Sequence, residues 1–196
     1  MKIYFDNVNI GSSSGPNGFA KKLLDSIGDN HKIFTSISQL IENSDIPDVQ
    51  LSFISSTNKL APIVQRLDGI YFNSEQDFES LNREIEMTYN ISDHVIFQST
   101  FNKRLTEKFF GVKDNSTVIR NGTNIGLISS ISPISHEKLD KFDNVWLCAS
   151  SWRPHKRLSD NIRYFLEKSS SNDCLVVAGE NPDFKSYDPR VFYAGH

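Results

Sequence analysis

The chain gathers several candidate ligand-binding cations in one short turn. An apolar, strand-like run over 145–149 leads directly into a turn that contains Arg153, Lys156 and Arg157, and a helix-like segment follows. Open α/β sheets bind ligands outside the carboxyl ends of their strands. Several cations at such an end suit a ligand with phosphates, because charge-assisted hydrogen bonds are short and strong. The pattern predicts a diphosphate site, and a solvated basic turn is the alternative.

A glycine-containing segment near the N-terminus is a second candidate for phosphate binding. Gly15 and Gly18 follow an apolar run over 2–6 and flank a turn that leads into a helix pattern starting near Asn17. Backbone N–H groups at the start of a helix bind phosphate or a sugar hydroxyl, and glycine allows close approach. The spacing is not G-x-G-x-x-G, which argues against a dinucleotide site. An ordinary turn between strand and helix remains the alternative.

Two carboxylates follow predicted strands. Asp68 comes directly after the run over 63–67, where it could bind substrate hydroxyls or accept a proton, or simply cap the turn before Gly69. Glu180 follows Gly179 after the run over 174–178. The interpretation of Glu180 stays divided between a ligand-facing residue and a solvated loop carboxylate.

The elements that must position these residues alternate along the chain. Helix patterns run from near Asn17 to Ile27, over 76–91 and over 100–110, the last closed by Gly111. In the second of them, Phe78, Leu81, Ile85 and Tyr89 share one predicted face. Strands that alternate with helices predict an α/β fold with a Rossmann-like, doubly wound parallel sheet. The predicted strands are 2–6, 31–35, 49–54, 63–67, 95–97, 117–119, 144–149, 174–178 and 191–194.

This rhythm predicts two domains. Residues 1–122 form an N-terminal Rossmann-like domain, and the serine-rich segment 123–141 is a linker. Residues 142–196 begin a second Rossmann-like domain. That stretch is shorter than the 100 or so residues such a domain usually needs, so we expect an incomplete second domain.

Composition limits the classes of function. The 196 residues carry a net charge of −3, so the overall field gives no reason to expect a nucleic-acid or membrane partner. No run approaches the length of a membrane span, and the N-terminus lacks a signal-peptide pattern, so we expect a cytoplasmic protein. The two cysteines, Cys148 and Cys174, lie in apolar strand-like runs, as free core thiols do. No zinc-ligand spacing is present.

An ordered set of segments resembles the retaining glycosyltransferases of the GT-B fold, in particular glycosyltransferase family 4. The resemblance covers nearly the whole chain. Segment 15–20 matches the family's glycine-rich loop, 64–70 the stretch before the cleft, and 93–99 the late strand and helix of the first domain. Segment 118–122 matches the strand before the crossover between domains, 149–158 the entry to the second domain, and 176–182 its glycine turn.

The resemblance implies transfer of a hexose from a nucleotide-diphosphate sugar to a carbohydrate or lipid-linked acceptor, with retention and with neither a metal nor another cofactor. Its position after the run over 63–67 makes Asp68 the candidate catalytic residue of such an enzyme, and Gly179 and Glu180 would form a donor-side loop. Lys156 matches the lysine of the family's Arg…Lys pair. Ser151 stands where the arginine is usual, so Arg153 would replace it. The implied donor-diphosphate ligands are Arg153, Lys156, Arg157, Gly15 and Gly18.

Two other functions stay open. The family's strongest donor signature, Glu-x7-Glu, is absent from a matching place, which favours a truncated, non-catalytic or partner-dependent binding module. Such a module would form homo-oligomers or bind a complementing chain, because a half-built domain exposes apolar faces and strand edges. A sugar-nucleotide epimerase that uses NAD is the third possibility, but the chain lacks its glycine fingerprint and any evident Tyr-x-x-x-Lys pair.

Overall fold

The computed structural model describes residues 1–12, 14–132, 136–180 and 182–195. The chain forms two compact units, Met1–Thr123 and Asn124–His196. Each has a parallel sheet, so the predicted Rossmann-like α/β fold is confirmed. Part of the predicted linker, residues 133–135, lies outside the described ranges, as do Asn181 and His196. The predicted roles of the two domains stay predictions.

The first unit contains a six-stranded, entirely parallel sheet. Its strand order is β2-β1-β3-β4-β5-β6, so the chain leaves β1 on one side and returns to β3 on the other. The carboxyl ends of β1 and β3 therefore form the switch point at which such sheets bind ligands. The strands are β1 (Lys2–Asp6), β2 (Lys32–Phe34), β3 (Val49–Phe53), β4 (Ile63–Leu67), β5 (His94–Phe97) and β6 (Ser116–Val118).

Local capping fixes the ends of the helices in the first unit. Side-chain oxygens of Ser36, Asp77 and Ser99 each accept a backbone N–H in the first turn of the helix that follows. Gly111, with φ at 91°, closes the last of these helices, as predicted. The helices are α1 (Gly15–Ile27), α2 (Ile37–Asn43), α3 (Phe78–Ile91) and α4 (Thr100–Phe110).

Two features of these helices differ from the sequence interpretation. The seven-residue α2 was not predicted, because it is too short to show helical periodicity; Ser36 at its cap was the available signal. In α3, Leu81 is 45% exposed, whereas the neighbouring Asn82 is buried. Asn82 turns inward because its amide bonds both the N–H and the carbonyl of Tyr71, at 2.9 and 2.7 Å.

The second unit contains a three-stranded parallel sheet of order β7-β8-β9. Its core joins the turn after β7 to the next helix and to the sheet, through Trp152, Leu158, Ile162, Phe165, Leu175, Val177 and Val191. Among the helices of the described ranges, none is both long and apolar enough to cross a membrane. The elements are α5 (Ile125–Ser130), β7 (Asn144–Ala149), a 3-10 turn (Pro154–Lys156), α6 (Leu158–Lys168), β8 (Asp173–Ala178) and β9 (Val191–Gly195).

Candidate functional site

Four polar side chains form a closed ring at the carboxyl edge of the first sheet. The guanidinium of Arg66, in β4, pairs through Nη1 with Oδ1 of Asp68 and donates from Nη2 to Oδ1 of Asn121 at 3.1 Å. Asn121 Nδ2 donates to Oε1 of Gln98 at 2.7 Å. Gln98 Nε2 donates to Oδ1 of Asp68 and closes the circle. We call these four residues the edge ring.

Arg66 is the buried member of the edge ring. Its side chain is 4% exposed, and its guanidinium carbon lies 3.6 Å from the ring centroid of Phe19, on α1. Burial lowers the pKa of Arg66, and the charge and hydrogen bond of Asp68 oppose that effect. The guanidinium stays protonated because its intrinsic pKa is so high. A buried cation is tolerated here because a carboxylate, an amide and an aromatic face surround it.

Asp68 lies where the sequence predicts it, directly after β4. Its Oδ1 accepts from Arg66 and Gln98, whereas no residue of the described ranges donates to Oδ2. The side chain is 31% exposed. The result is a carboxylate with one oxygen held by the protein and the other free. Such a group is suited to accept a hydrogen bond or a proton from a hydroxyl.

Sequence reasoning missed most of the edge ring. Arg66, Gln98 and Asn121 lie in the segments 64–70, 93–99 and 118–122, but the sequence does not single out any of the three. The available signal was that each polar residue lies at or just beyond the carboxyl end of a predicted strand. In a parallel sheet those ends meet at one edge.

The switch point between β1 and β3 has an unusual backbone. Asn7 and Ile54, the residues after these strands, have φ of 57° and 81°. For the β-branched Ile54 this conformation is strained, and surrounding contacts must maintain it. Gln65 Nε2 donates to the Ile54 carbonyl at 2.6 Å, and Asn7 Nδ2 donates to the carbonyl and hydroxyl oxygens of Ser55, each at 3.2 Å.

Asp6, at the end of β1, is buried but fully engaged by the protein. The Tyr4 hydroxyl donates to Oδ1 at 3.1 Å, while Gln50 Nε2, at 2.8 Å, and the Ser56 hydroxyl donate to Oδ2. Burial, followed by the charge of Asp6, raises the pKa of Tyr4 to about 12. This carboxylate joins β1 to the segment after β3, which is a structural role.

Gly15 and Gly18 lie in the first turn of α1, not in the loop before it. The helix begins earlier than predicted, and Pro16 in its first turn supports that start. A methyl group added at either glycine would meet no atom within 4 Å. The fold therefore does not require glycine at these positions. Their role toward phosphate stays a prediction.

In the second unit, Trp152 fixes the turn after β7. Its backbone N–H donates to the Glu180 carbonyl at 3.1 Å, and its indole Nε1 donates to the Ala178 carbonyl at 3.0 Å. Ser150 N–H donates to the same Ala178 carbonyl at 3.2 Å. The buried indole therefore joins the turn to the end of β8.

Gly179 lies where these strand ends meet. Its φ is 109°, and an added Cβ would lie 1.8 Å from the Ser150 carbonyl oxygen, so only glycine fits. A cavity of about 400 Å³ opens at the carboxyl ends of β7, β8 and β9. Gly179 and Glu180, predicted as a donor-side loop, both line it. Its lining residues are Ala149, Ser150, Ser151, Ala178, Gly179, Glu180 and Gly195.

The predicted diphosphate ligands of this unit differ in their availability. Arg153 and Lys156 are exposed, and no residue of the described ranges bonds their side chains. Arg157 instead donates from Nε to Oδ2 of Asp160 at 2.7 Å, and Arg163 bonds the other oxygen at 2.6 Å. The hydrogen bond from Arg157 is the main cause that lowers the pKa of Asp160.

A second cavity of about 440 Å³ lies along α6. Lys156 and Arg157 line it, whereas Arg153 lines neither this cavity nor the one at the strand ends. We favour the strand-end cavity as the ligand site despite its slightly smaller volume. It occupies the edge at which α/β sheets bind ligands, whereas in the α6 cavity Arg157 and Arg163 already pair with Asp160. None of the three predicted cations lines the strand-end cavity, so their contact with a ligand there stays a prediction.

Comparison with known proteins identifies similar folds. No protein-family model matches the sequence, and no curated protein matches it. Among solved structures, HepE from Anabaena in complex with UDP-glucose matches with a TM-score of 0.62 at 18% identity, over 100% of this chain and 69% of HepE. HepE was also solved with UDP, and there the TM-score is 0.63 at 17% identity, with the same coverage.

Two further neighbours are more distant. MnaA from S. aureus, solved with UDP, matches with a TM-score of 0.54 at 11% identity, over 98% of this chain and 67% of MnaA. An alpha-glucosyltransferase in complex with UDP-glucose and abasic-site DNA matches with a TM-score of 0.50 at 13% identity, over 91% of this chain and 57% of the enzyme. At such identities the likeness shows the fold alone, which is the Rossmann-like α/β fold predicted from the sequence.

Proposed function

We propose that the chain is a glycosyltransferase that uses a nucleotide-diphosphate sugar as donor. The observation that carries this proposal is the pair of exposed cations, Arg153 and Lys156, on a turn that directly follows the carboxyl end of a parallel strand. Solved neighbours of the same fold hold UDP or UDP-glucose, which supports a uridine nucleotide as the first ligand to test.

The proposed chemistry is transfer of a hexose with retention at the anomeric carbon. The bond between the anomeric carbon and the diphosphate oxygen breaks, and a bond to the acceptor hydroxyl oxygen forms. Negative charge grows on the departing nucleoside diphosphate, where Arg153 and Lys156 would stabilise it in place of a metal ion. Asp68 would accept the proton of the acceptor hydroxyl, which belongs to a carbohydrate or a lipid-linked acceptor.

Binding of UDP, measured by isothermal titration calorimetry, tests the cationic turn. We expect the double substitution Arg153→Ala with Lys156→Ala to weaken UDP binding by about 100-fold or more, since each charge-assisted hydrogen bond contributes on the order of 1.5–3 kcal/mol. Arg104→Ala with Lys108→Ala removes the same charge from the exposed face of α4 and should leave the affinity unchanged. Equal affinities in wild type and the first variant would contradict the proposed role of the turn.

Turnover of UDP-glucose tests the enzyme itself. Release of UDP is followed with a panel of p-nitrophenyl glycosides as soluble acceptors, with and without EDTA, and the product's anomeric configuration is assigned by proton NMR. Transfer with an axial product in EDTA supports the whole proposal. Tight UDP binding without transfer would favour the non-catalytic or partner-dependent module instead.

A further inference from the structure

We propose that Arg66, Gln98 and Asn121 are positioning residues: Arg66 and Gln98 hold one carboxylate oxygen of Asp68, Asn121 joins these two residues, and the other oxygen is left free for an acceptor hydroxyl. The assignment of the acceptor rests on the proposed function. The positioning itself rests only on the contacts of the edge ring.

Two donors converge on one carboxylate oxygen of Asp68. Arg66 Nη1 and Gln98 Nε2 both bond Oδ1 of Asp68; Arg66 lies in β4, and Gln98 directly follows the neighbouring strand β5. A partly exposed aspartate would otherwise change rotamer freely. Bonds from two directions to the same oxygen fix the plane of the carboxylate and so the direction of Oδ2.

The donor and acceptor chemistry of the edge ring allows only one orientation of each side-chain amide. The Arg66 guanidinium has donors but no acceptor, so the group it meets on Asn121 must be Oδ1. Asn121 then presents Nδ2 to Gln98, whose Oε1 must accept it. Gln98 is left with Nε2 to offer Asp68, which as a carboxylate only accepts. The orientation of each amide therefore follows from the fixed charge types of Arg66 and Asp68.

The free oxygen of Asp68 distinguishes positioning of this carboxylate from mere neutralisation of the buried Arg66. A ring that served stability alone would engage both oxygens of Asp68, as the buried carboxylate of Asp6 is engaged by three donors. Instead, Oδ2 has no donor within the described ranges, and the side chain is 31% exposed. The edge ring thus leaves one acceptor free at the ligand-binding edge of the sheet.

Side-chain NMR of the full chain tests the ring without requiring activity. Asn121 does not touch Asp68, so Asp68→Ala should move the side-chain amide signals of Asn121 only if the ring acts as one unit. The amide of Asn115, which lies exposed at the opposite end of β6, is the internal control and should not move. Unmoved Asn121 signals in a folded Asp68→Ala variant would overturn the proposal.

Kinetics test the consequence for transfer. Asn121→Ala should lower kcat with UDP-glucose and p-nitrophenyl glycosides about tenfold, part of the 10²–10⁴-fold that a positioned base supplies, with KM for UDP-glucose unchanged. In an Asp68→Ala background the same change should have no further effect, and Asn115→Ala should match wild type. An equal loss in both backgrounds would overturn positioning through Asp68. Should wild type transfer no glucose, the proposed function fails, while the NMR result still decides the ring.

Discussion

The two carboxyl edges of this protein use cations in opposite ways. At the edge of the first sheet, Arg66 is 4% exposed, and its charge is taken up by Asp68, Asn121 and the face of Phe19. On the turn after β7, Arg153 and Lys156 are exposed and have no partner in the part of the chain that the structure describes. One cation is built into the fold, and the other two are available to a ligand.

The difference teaches that residue type alone does not identify an anion site. A cation whose donors are occupied shapes the groups around it, whereas a cation with free donors can bind phosphate. Neighbouring cations can differ in this respect, because Arg157 lies one residue from Lys156 yet donates to Asp160. If this difference is real, substitutions at the two edges should change the free energy of unfolding by different amounts.

The largest effect is expected at Gly179. Gly179→Val places a side chain on a residue with φ of 109° and forces it against the Ser150 carbonyl oxygen, so the strand ends of the second unit must separate. We expect a loss of about 4 kcal/mol or more in the free energy of unfolding. Both tryptophans, Trp146 and Trp152, lie in this unit, so their fluorescence during urea unfolding measures it directly.

Gly122→Val is the control for that substitution, because a Cβ at Gly122 meets nothing within 4 Å. Gly122 lies in the first unit, which has no tryptophan, so unfolding of both variants is also followed by circular dichroism. It should change stability by less than about 0.5 kcal/mol. If Gly179→Val were equally harmless, the strand-end cavity would not have the backbone geometry described here.

A substitution at each edge compares the two kinds of cation directly. Arg66→Met removes a buried charge, one of the two donors to Asp68 and the donor to Asn121 Oδ1. We therefore expect a loss of about 2–3 kcal/mol in urea unfolding followed by circular dichroism. Lys156→Met removes an exposed, unpaired charge and should stay within about 0.5 kcal/mol of wild type. Similar losses in both variants would remove the distinction between the edges.

The sequence predicted best those elements whose signals are local. The run 63–67 and the helix 100–110 have the predicted bounds. Pro62 and Gly69 flank the strand, and a serine cap and Gly111 define the helix. The edge ring could not be predicted in the same way. Gln98 and Asn121 lie 30 residues after Asp68 and 55 after Arg66, and only the strand order brings them together. By contrast, the pairing of Arg157 with Asp160 follows from their three-residue spacing.

The smallest effect on stability is expected at Gly18, where the fold has room for a side chain but a bound phosphate would require glycine. Because Gly18 lies inside α1 with free space around it, Gly18→Ala should stabilise the first unit by about 0.5–1 kcal/mol in urea unfolding. If the glycine serves close approach of a phosphate, Gly18→Val should lower turnover of UDP-glucose without unfolding the protein. Unchanged turnover would instead make Gly18 an ordinary helix residue. If turnover falls, Gly179 is a glycine that the backbone requires, and Gly18 is one that a bound ligand requires.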